Sequence, residues 1–103
     1  MPNTFLLYGS YGYTGNLIAE HSVREGLRPI LAGRDETRLR AQAERLGLDF
    51  RVIPLSDAAA LDDALRAAGL VVHAAGPFVH TWKPMVEACL RTGAHYVDIS
   101  GEI

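Results

Sequence analysis

Three glycines and one arginine are the residues of this chain whose types and spacing could do chemistry. Gly9-Ser10-Tyr11-Gly12-Tyr13-Thr14-Gly15 spaces its glycines G-x-x-G-x-x-G, directly after the apolar run Thr4 to Tyr8 and before a stretch of helical spacing. In that setting each glycine has its own task. Gly9 lets the chain turn sharply, Gly12 lets the backbone approach a pyrophosphate, and Gly15 lets a helix pack close to a strand. The free N–H groups of the first helical turn then face the anion, and the helix dipole favours its negative charge. A glycine-rich turn without a ligand would use the same residues, so the weight falls on the strand-to-helix setting that the motif requires. No G-x-x-x-x-G-K-[ST] stretch is present, which leaves a nucleotide-hydrolysing P-loop unsupported.

The arginine is Arg34, in Ala32-Gly33-Arg34 at the end of the second apolar run. Sites that prefer NAD usually place an acid there to bind the ribose hydroxyls. Here the small Gly33 leaves room and Arg34 offers a planar fork to a 2′-phosphate, which points to NADP. Asp35 follows at once; it could accept the ribose hydroxyls of NAD instead, or simply cap a helix. A second loop, Ala74-Ala75-Gly76-Pro77-Phe78, follows the fourth apolar run. Small residues in that place permit backbone contact with a cofactor, because ligands of open parallel sheets bind beyond the carboxyl ends of the strands.

Catalytic residues are not legible. None of Tyr8, Tyr11, Tyr13 and Tyr96 has a lysine four residues on, and the one lysine, Lys83, follows Val79 at that interval. The Tyr-x-x-x-Lys pair of short-chain dehydrogenases is therefore missing. His21, His73, His80 and His95 have no metal-ligand spacing. His73 is expected in or beside the fourth strand, and His80 at the start of the fourth helix. Cys89 falls on an apolar stripe and reads as a buried thiol. Asp98 and Glu102 are candidates for contacts on the substrate side, with helix capping or solvation as the plainer roles.

The elements that must position these residues show a repeat. Gly26, Gly47, Gly69 and Gly93 each follow a helix-like segment and precede an apolar residue, at intervals of 21, 22 and 24. A glycine in the left-handed conformation ends a helix in this way, and the next residue packs back onto the last turn. Five short apolar runs suit buried strands: Thr4 to Tyr8, Arg28 to Ala32, Phe50 to Leu55, Leu70 to Ala74 and His95 to Ile99. Between them, Leu61, Ala64, Leu65 and Ala68 form one helical stripe, and Trp82, Met85, Val86, Cys89 and Leu90 another. Asp35 and Asp57 stand where N-caps belong. Alternation this tight implies parallel strands with right-handed crossovers. The fold class is α/β: a Rossmann-type, doubly wound parallel sheet of five strands in order 3-2-1-4-5 with about four helices.

Bulk properties narrow the partners. The 103 residues make one domain, residues 1–103, with a formal net charge of -2 and scattered basic residues; that leaves no electrostatic footprint for nucleic acid. No apolar run is of spanning length, and a single cysteine suits a reducing cytosol, so a cytoplasmic location without a membrane partner is expected.

With these residues in hand, the chain resembles the NADP-binding domain of the saccharopine dehydrogenase-like family, which includes trans-acting enoyl reductase-like members. The segments that carry the likeness are Gly9 to Gly15, Leu31-Ala32-Gly33-Arg34, Ala74 to Phe78 and Tyr96-Val97-Asp98-Ile99-Ser100-Gly101-Glu102. The resemblance implies that Gly9, Ser10, Tyr11, Gly12, Tyr13 and Thr14 cradle the pyrophosphate and that Arg34 reads the 2′-phosphate. It also implies that Ala75, Gly76 and Pro77 line the cofactor cleft, with Asp98 to Glu102 near the nicotinamide end. Members of the family are several times longer, so a truncation is expected, with the substrate domain lying outside this chain. An oxidoreductase domain that is inactive alone is the favoured expectation; a nucleotide-sensing or binding module without turnover is the alternative. An exposed edge on the fifth strand would invite pairing with another chain.

Overall fold

The computed structural model describes residues 4–75 and 78–98. In chain order the elements are β1 (Leu6–Tyr8), α1 (Tyr13–Arg24), β2 (Ile30–Gly33), α2 (Glu36–Leu46), β3 (Phe50–Val52), α3 (Ala58–Ala68), β4 (Leu70–His73), α4 (Phe78–Thr92) and β5 (His95–Asp98). All strand pairs are parallel and the sheet order is β3-β2-β1-β4-β5, the expected doubly wound arrangement.

The central strand shows why the sheet carries helices on both faces. Leu6, Leu7 and Tyr8 are all buried, and successive side chains point to opposite faces of a strand. Leu6 and Tyr8 join a cluster with Ala32, Ile53 and Val71, closed by Leu61, Ala64 and Leu65 of α3 and Met85, Ala88 and Cys89 of α4. Leu7 enters the opposite cluster with Leu31, closed by Ala19 of α1 and Leu39 and Ala43 of α2. Each fully buried leucine stabilises the fold by about 1.5–3 kcal/mol relative to exposure, and β1 places one on either side of a single backbone. Arg91 grips Asp62 with two hydrogen bonds of 2.9 and 2.8 Å, tying α4 to α3.

The helix ends follow the sequence closely. Gly26, Gly47, Gly69 and Gly93 all have φ between +69° and +82°. Asp35 and Asp57 each accept a hydrogen bond from a backbone N–H three residues on, that of Arg38 and of Ala60, both at 3.1 Å.

Two expectations need correction. The third strand stops at Val52 rather than Leu55: the Ile53 N–H still reaches the Gly33 carbonyl at 2.7 Å, but Pro54 has no donor with which to continue the ladder. On α4 the buried stripe is Met85, Ala88 and Cys89, whereas Trp82 is 47% and Leu90 80% exposed. Residues three and four apart share a helix face, and α3 covers only the part of α4 centred on Met85 and Cys89. The first, second and fourth strands also differ at their ends by one or two residues from the apolar runs. Ile99 lies outside the described residues.

Replacing Asp57 with Ala removes the side-chain cap of α3 and is expected to cost about 1 kcal/mol. For a domain of this size that lowers the melting temperature by roughly 4–8 °C. Thermal unfolding followed by circular dichroism checks this, and an unchanged melting temperature would contradict the capping role.

Candidate functional site

Beyond the carboxyl ends of β1, β2, β3 and β4 lies a cleft of about 580 Å³. It brings together Gly9, Tyr11 and Gly12 of the glycine loop, Gly33 and Arg34 after β2, and Ala75 after β4. Half of the residues singled out in the sequence thus converge on one concavity. Ala74, from the second loop singled out in the sequence, also lines it, and Tyr8, Thr81 and the run Pro54-Leu55-Ser56, which the sequence had not pointed to, complete its wall. Pro54 to Ser56 follow β3 as Arg34 follows β2, so the rule that ligands sit beyond strand ends could have found them.

The glycine loop is shaped by contacts that exclude a side chain. Gly9 has φ +83°, and a Cβ placed on it would lie 2.6 Å from the Ala75 nitrogen. A Cβ on Gly15 would fall on the Gly9 carbonyl oxygen and 3.0 Å from Ser10 Cα. The loop, the start of α1 and the segment after β4 are therefore in backbone contact. Gly12 differs: a Cβ there would meet only the Gly9 oxygen, at 3.6 Å. It lines the cleft and caps α1 with no side chain, and the first turn of that helix holds no acidic residue. The terminus is bare, without carboxylates and open to the cleft, which is what an anionic group needs at a helix start.

Around Arg34 the polar groups are sorted. Asp35 is committed to the cap of α2 through the Arg38 N–H, with the Arg38 guanidinium 3.7 Å from its other oxygen. Its carboxylate is thus engaged with its own helix. Arg34 is exposed, lines the cleft and has no salt bridge among the described residues. Gly33 is small for a local reason: a Cβ there would stand 2.7 Å from the Tyr11 ring, whose hydroxyl accepts the Asp35 N–H at 3.2 Å.

The other candidates lie elsewhere. Ser10 is fully buried behind the loop, with its hydroxyl donating to Gln42 at 2.8 Å. Tyr13 is exposed at the start of α1 and lines a separate groove with Leu17 and Arg38, and Thr14 is also exposed. Gly76 and Pro77, along with Ser100, Gly101 and Glu102, lie outside the described residues, as does the side chain of His80.

Two buried titratable groups near the cleft, Tyr8 and His73, are held neutral. Tyr8 donates its hydroxyl to the Ile53 carbonyl at 2.6 Å, and burial, with the Tyr11 phenol adding to it, pushes its pKa up to about 12. His73 is fully buried. Burial drives its pKa down to about 4 against the opposing pull of Asp98. The Thr81 hydroxyl donates to the Ala75 carbonyl at 3.0 Å, so at its 3.0 Å contact with His73 Nε2 the hydroxyl oxygen accepts and Nε2 carries the proton. Asp98 accepts the Tyr96 hydroxyl at 2.9 Å, and burial followed by that bond raises the tyrosine pKa. None of Tyr8, His73 and Tyr96 is poised to exchange a proton near neutrality.

Comparison with known proteins places this geometry. The saccharopine dehydrogenase NADP binding domain family matches residues 5–102. The trans-acting enoyl reductase of Mycobacterium leprae (strain TN) is 36% identical over 105 residues, covering 95% of this chain and 25% of the relative. The chain thus spans about a quarter of the length of the relatives it matches. Among solved structures, saccharopine dehydrogenase (L-Glu forming) from Saccharomyces cerevisiae superposes with a TM-score of 0.82 at 23% identity, covering 97% of this chain and 22% of that one. AtPrR2 with NADP+ and (+)pinoresinol gives 0.76 at 22% identity, with 93% and 36% covered. At these identities the structures speak for the fold alone. No helix among the described residues is long and apolar enough to cross a membrane.

Two predictions follow from the loop and from His73. Gly15→Ala should unfold or strongly destabilise the chain, whereas Gly12→Ala should leave it folded; circular dichroism melts separate the two, and a well-folded Gly15→Ala variant would refute the backbone contact. His73, with a folded pKa below its unfolded value near 6.5, binds fewer protons folded than unfolded. Stability is then whole above about pH 6.5, declines as pH falls toward 4 and levels off below, a loss on the order of 3 kcal/mol. Between pH 7 and 5 the melting temperature should fall, and His73→Gln should flatten that slope; an unchanged slope would mean the acid sensitivity comes from other groups.

Proposed function

The chain belongs to the saccharopine dehydrogenase NADP-binding domain family, and we propose that it is the cofactor-holding part of an NADPH-dependent reductase. The observation that carries this reading is the single cleft in which an uncapped, acid-free helix start, the Arg34 guanidinium and the Ala75 backbone converge. In this assignment the pyrophosphate lies at Gly12 and the first turn of α1, where backbone N–H groups and the helix dipole meet its charge. Arg34 takes the 2′-phosphate. The small residues Ala74 and Ala75, with Thr81, border the nicotinamide end. When bound, the nicotinamide supplies hydride chemistry.

What the chain's own residues contribute is binding and exclusion. Tyr8 and His73 stay neutral and leave the acid–base step to groups outside the described residues. The relatives are named trans-acting enoyl reductases, which supports an enoyl carbon–carbon double bond as the group reduced. Substrate contacts are assigned to the portion of the protein that corresponds to the remaining three-quarters of those relatives. By this reading the domain alone binds cofactor without turnover.

Calorimetric titration with NADPH and, separately, NADH tests the assignment. NADPH should bind more tightly. Arg34→Ala should weaken NADPH by about 10- to 100-fold, as expected for loss of a charge-assisted pair, while leaving NADH nearly unchanged. Equal affinity of the unaltered chain for both cofactors would remove Arg34 from the site.

A further inference from the structure

We infer that Gln42 of α2 is the positioning residue of the glycine loop, a role that rests on reading that loop as the pyrophosphate cradle. Gln42 is buried in a helix whose other inward residues, Leu39 and Ala43, are apolar. A buried carboxamide is costly unless its polar atoms are matched, and here each has a partner. Its Nε2 donates to the Ser10 carbonyl at 2.8 Å and to Asn16 Oδ1 at 3.0 Å, while its Oε1 accepts from the Ser10 hydroxyl at 2.8 Å. A main-chain carbonyl can only accept, so the amide orientation is dictated by its surroundings.

Ser10 is thereby held at both its backbone and its side chain. On the other side, the Gly9 N–H donates to the Ala32 carbonyl at 2.7 Å. The first half of the loop is anchored to β2 and α2, and Gly12 is left open toward the cleft. The anchor extends into α1. Asn16 Oδ1 also accepts from Arg45 at 2.7 Å, and Arg45 and Asn16 both donate to Glu20, at 2.9 and 3.1 Å. One network therefore joins the loop, the helix whose N-terminus faces the anion and the helix that carries the Arg34 side of the cleft. Preorganised donors hold an anion better than mobile ones, because less ordering remains to be done on binding. A carboxamide supplies the acceptor for the hydroxyl and two donors, for the carbonyl and for Asn16, at once. Methionine fills the space with neither, and glutamate would set a carboxylate against two acceptor oxygens.

The experiment titrates the 103-residue chain and its Gln42→Met variant with NADPH and with adenosine 2′-monophosphate, which lacks the pyrophosphate. Circular dichroism establishes that each is folded at the titration temperature. The variant should bind NADPH about tenfold more weakly, the factor for losing one or two buried hydrogen bonds, with the affinity for adenosine 2′-monophosphate unchanged. A folded variant that binds NADPH like the unaltered chain overturns the inference. So does an equal loss for both ligands, since that marks general loosening rather than a misplaced loop. Should Gln42→Met not fold, Asn16→Ala removes a partner of Gln42 and keeps the buried amide; NADPH binding weakened by about threefold supports the inference and undiminished binding overturns it. If the unaltered chain binds adenosine 2′-monophosphate but gains nothing from the rest of NADPH, the pyrophosphate reading itself fails, a result that involves no substitution.

Discussion

Everything at the top of this sheet depends on backbone meeting backbone where β1 ends. Gly9 lies so close to Ala75, and Gly15 so close to Gly9 and Ser10, that no Cβ fits on either glycine, and through Gly9 the loop joins the start of α1 on one side and the segment that leaves β4 on the other. Close packing makes such a junction stiff, because interiors have no spare volume to yield. In the proposed cofactor site that stiffness would keep the N–H groups at the start of α1 aimed at one place, with no side chain in the way.

Around this junction the protein separates groups that must be wet from groups that must be dry. Arg34 stays exposed at the mouth of the cleft, where a guanidinium keeps its charge at little cost. Tyr8 in the cleft wall and the buried His73 are each engaged in hydrogen bonding and each displaced in pKa by burial away from neutrality. Asp35 serves its own helix, which removes the one nearby acid that would have argued for a ribose hydroxyl over a 2′-phosphate. The cleft is thus electrostatically simple: a positive rim, a helix N-terminus and a neutral wall. That simplicity fits membership of an NADP-binding family.

Much of this was legible in advance. The cap glycines, the two aspartate caps and the short buried runs are local signals, and each acts through the conformation of a few adjacent residues. Sheet order followed from the handedness and compactness of crossovers. Less legible were the limits of elements and the faces of α4: the Trp82 and Leu90 positions satisfy helical spacing as well as Met85 and Cys89 do, and only the placement of α3 decided which were covered.

The amino-acid sequence by itself determined the fold, the glycine loop and the cofactor class, because each rests on residue types whose backbone geometry or charge is intrinsic: glycine at positive φ, apolar runs of strand length, an arginine where an acid would bind ribose. The tertiary structure alone decided which loop residues face the cleft and which brace it. Ser10 and Gly12 are two residues apart, yet one is buried against a helix 32 residues away and the other is open. It also placed Thr81 and Pro54 on the cleft and Gln42 against Ser10 of the glycine loop. Contacts over such separations depend on how whole elements dock, and nothing in the local pattern of a chain encodes that directly.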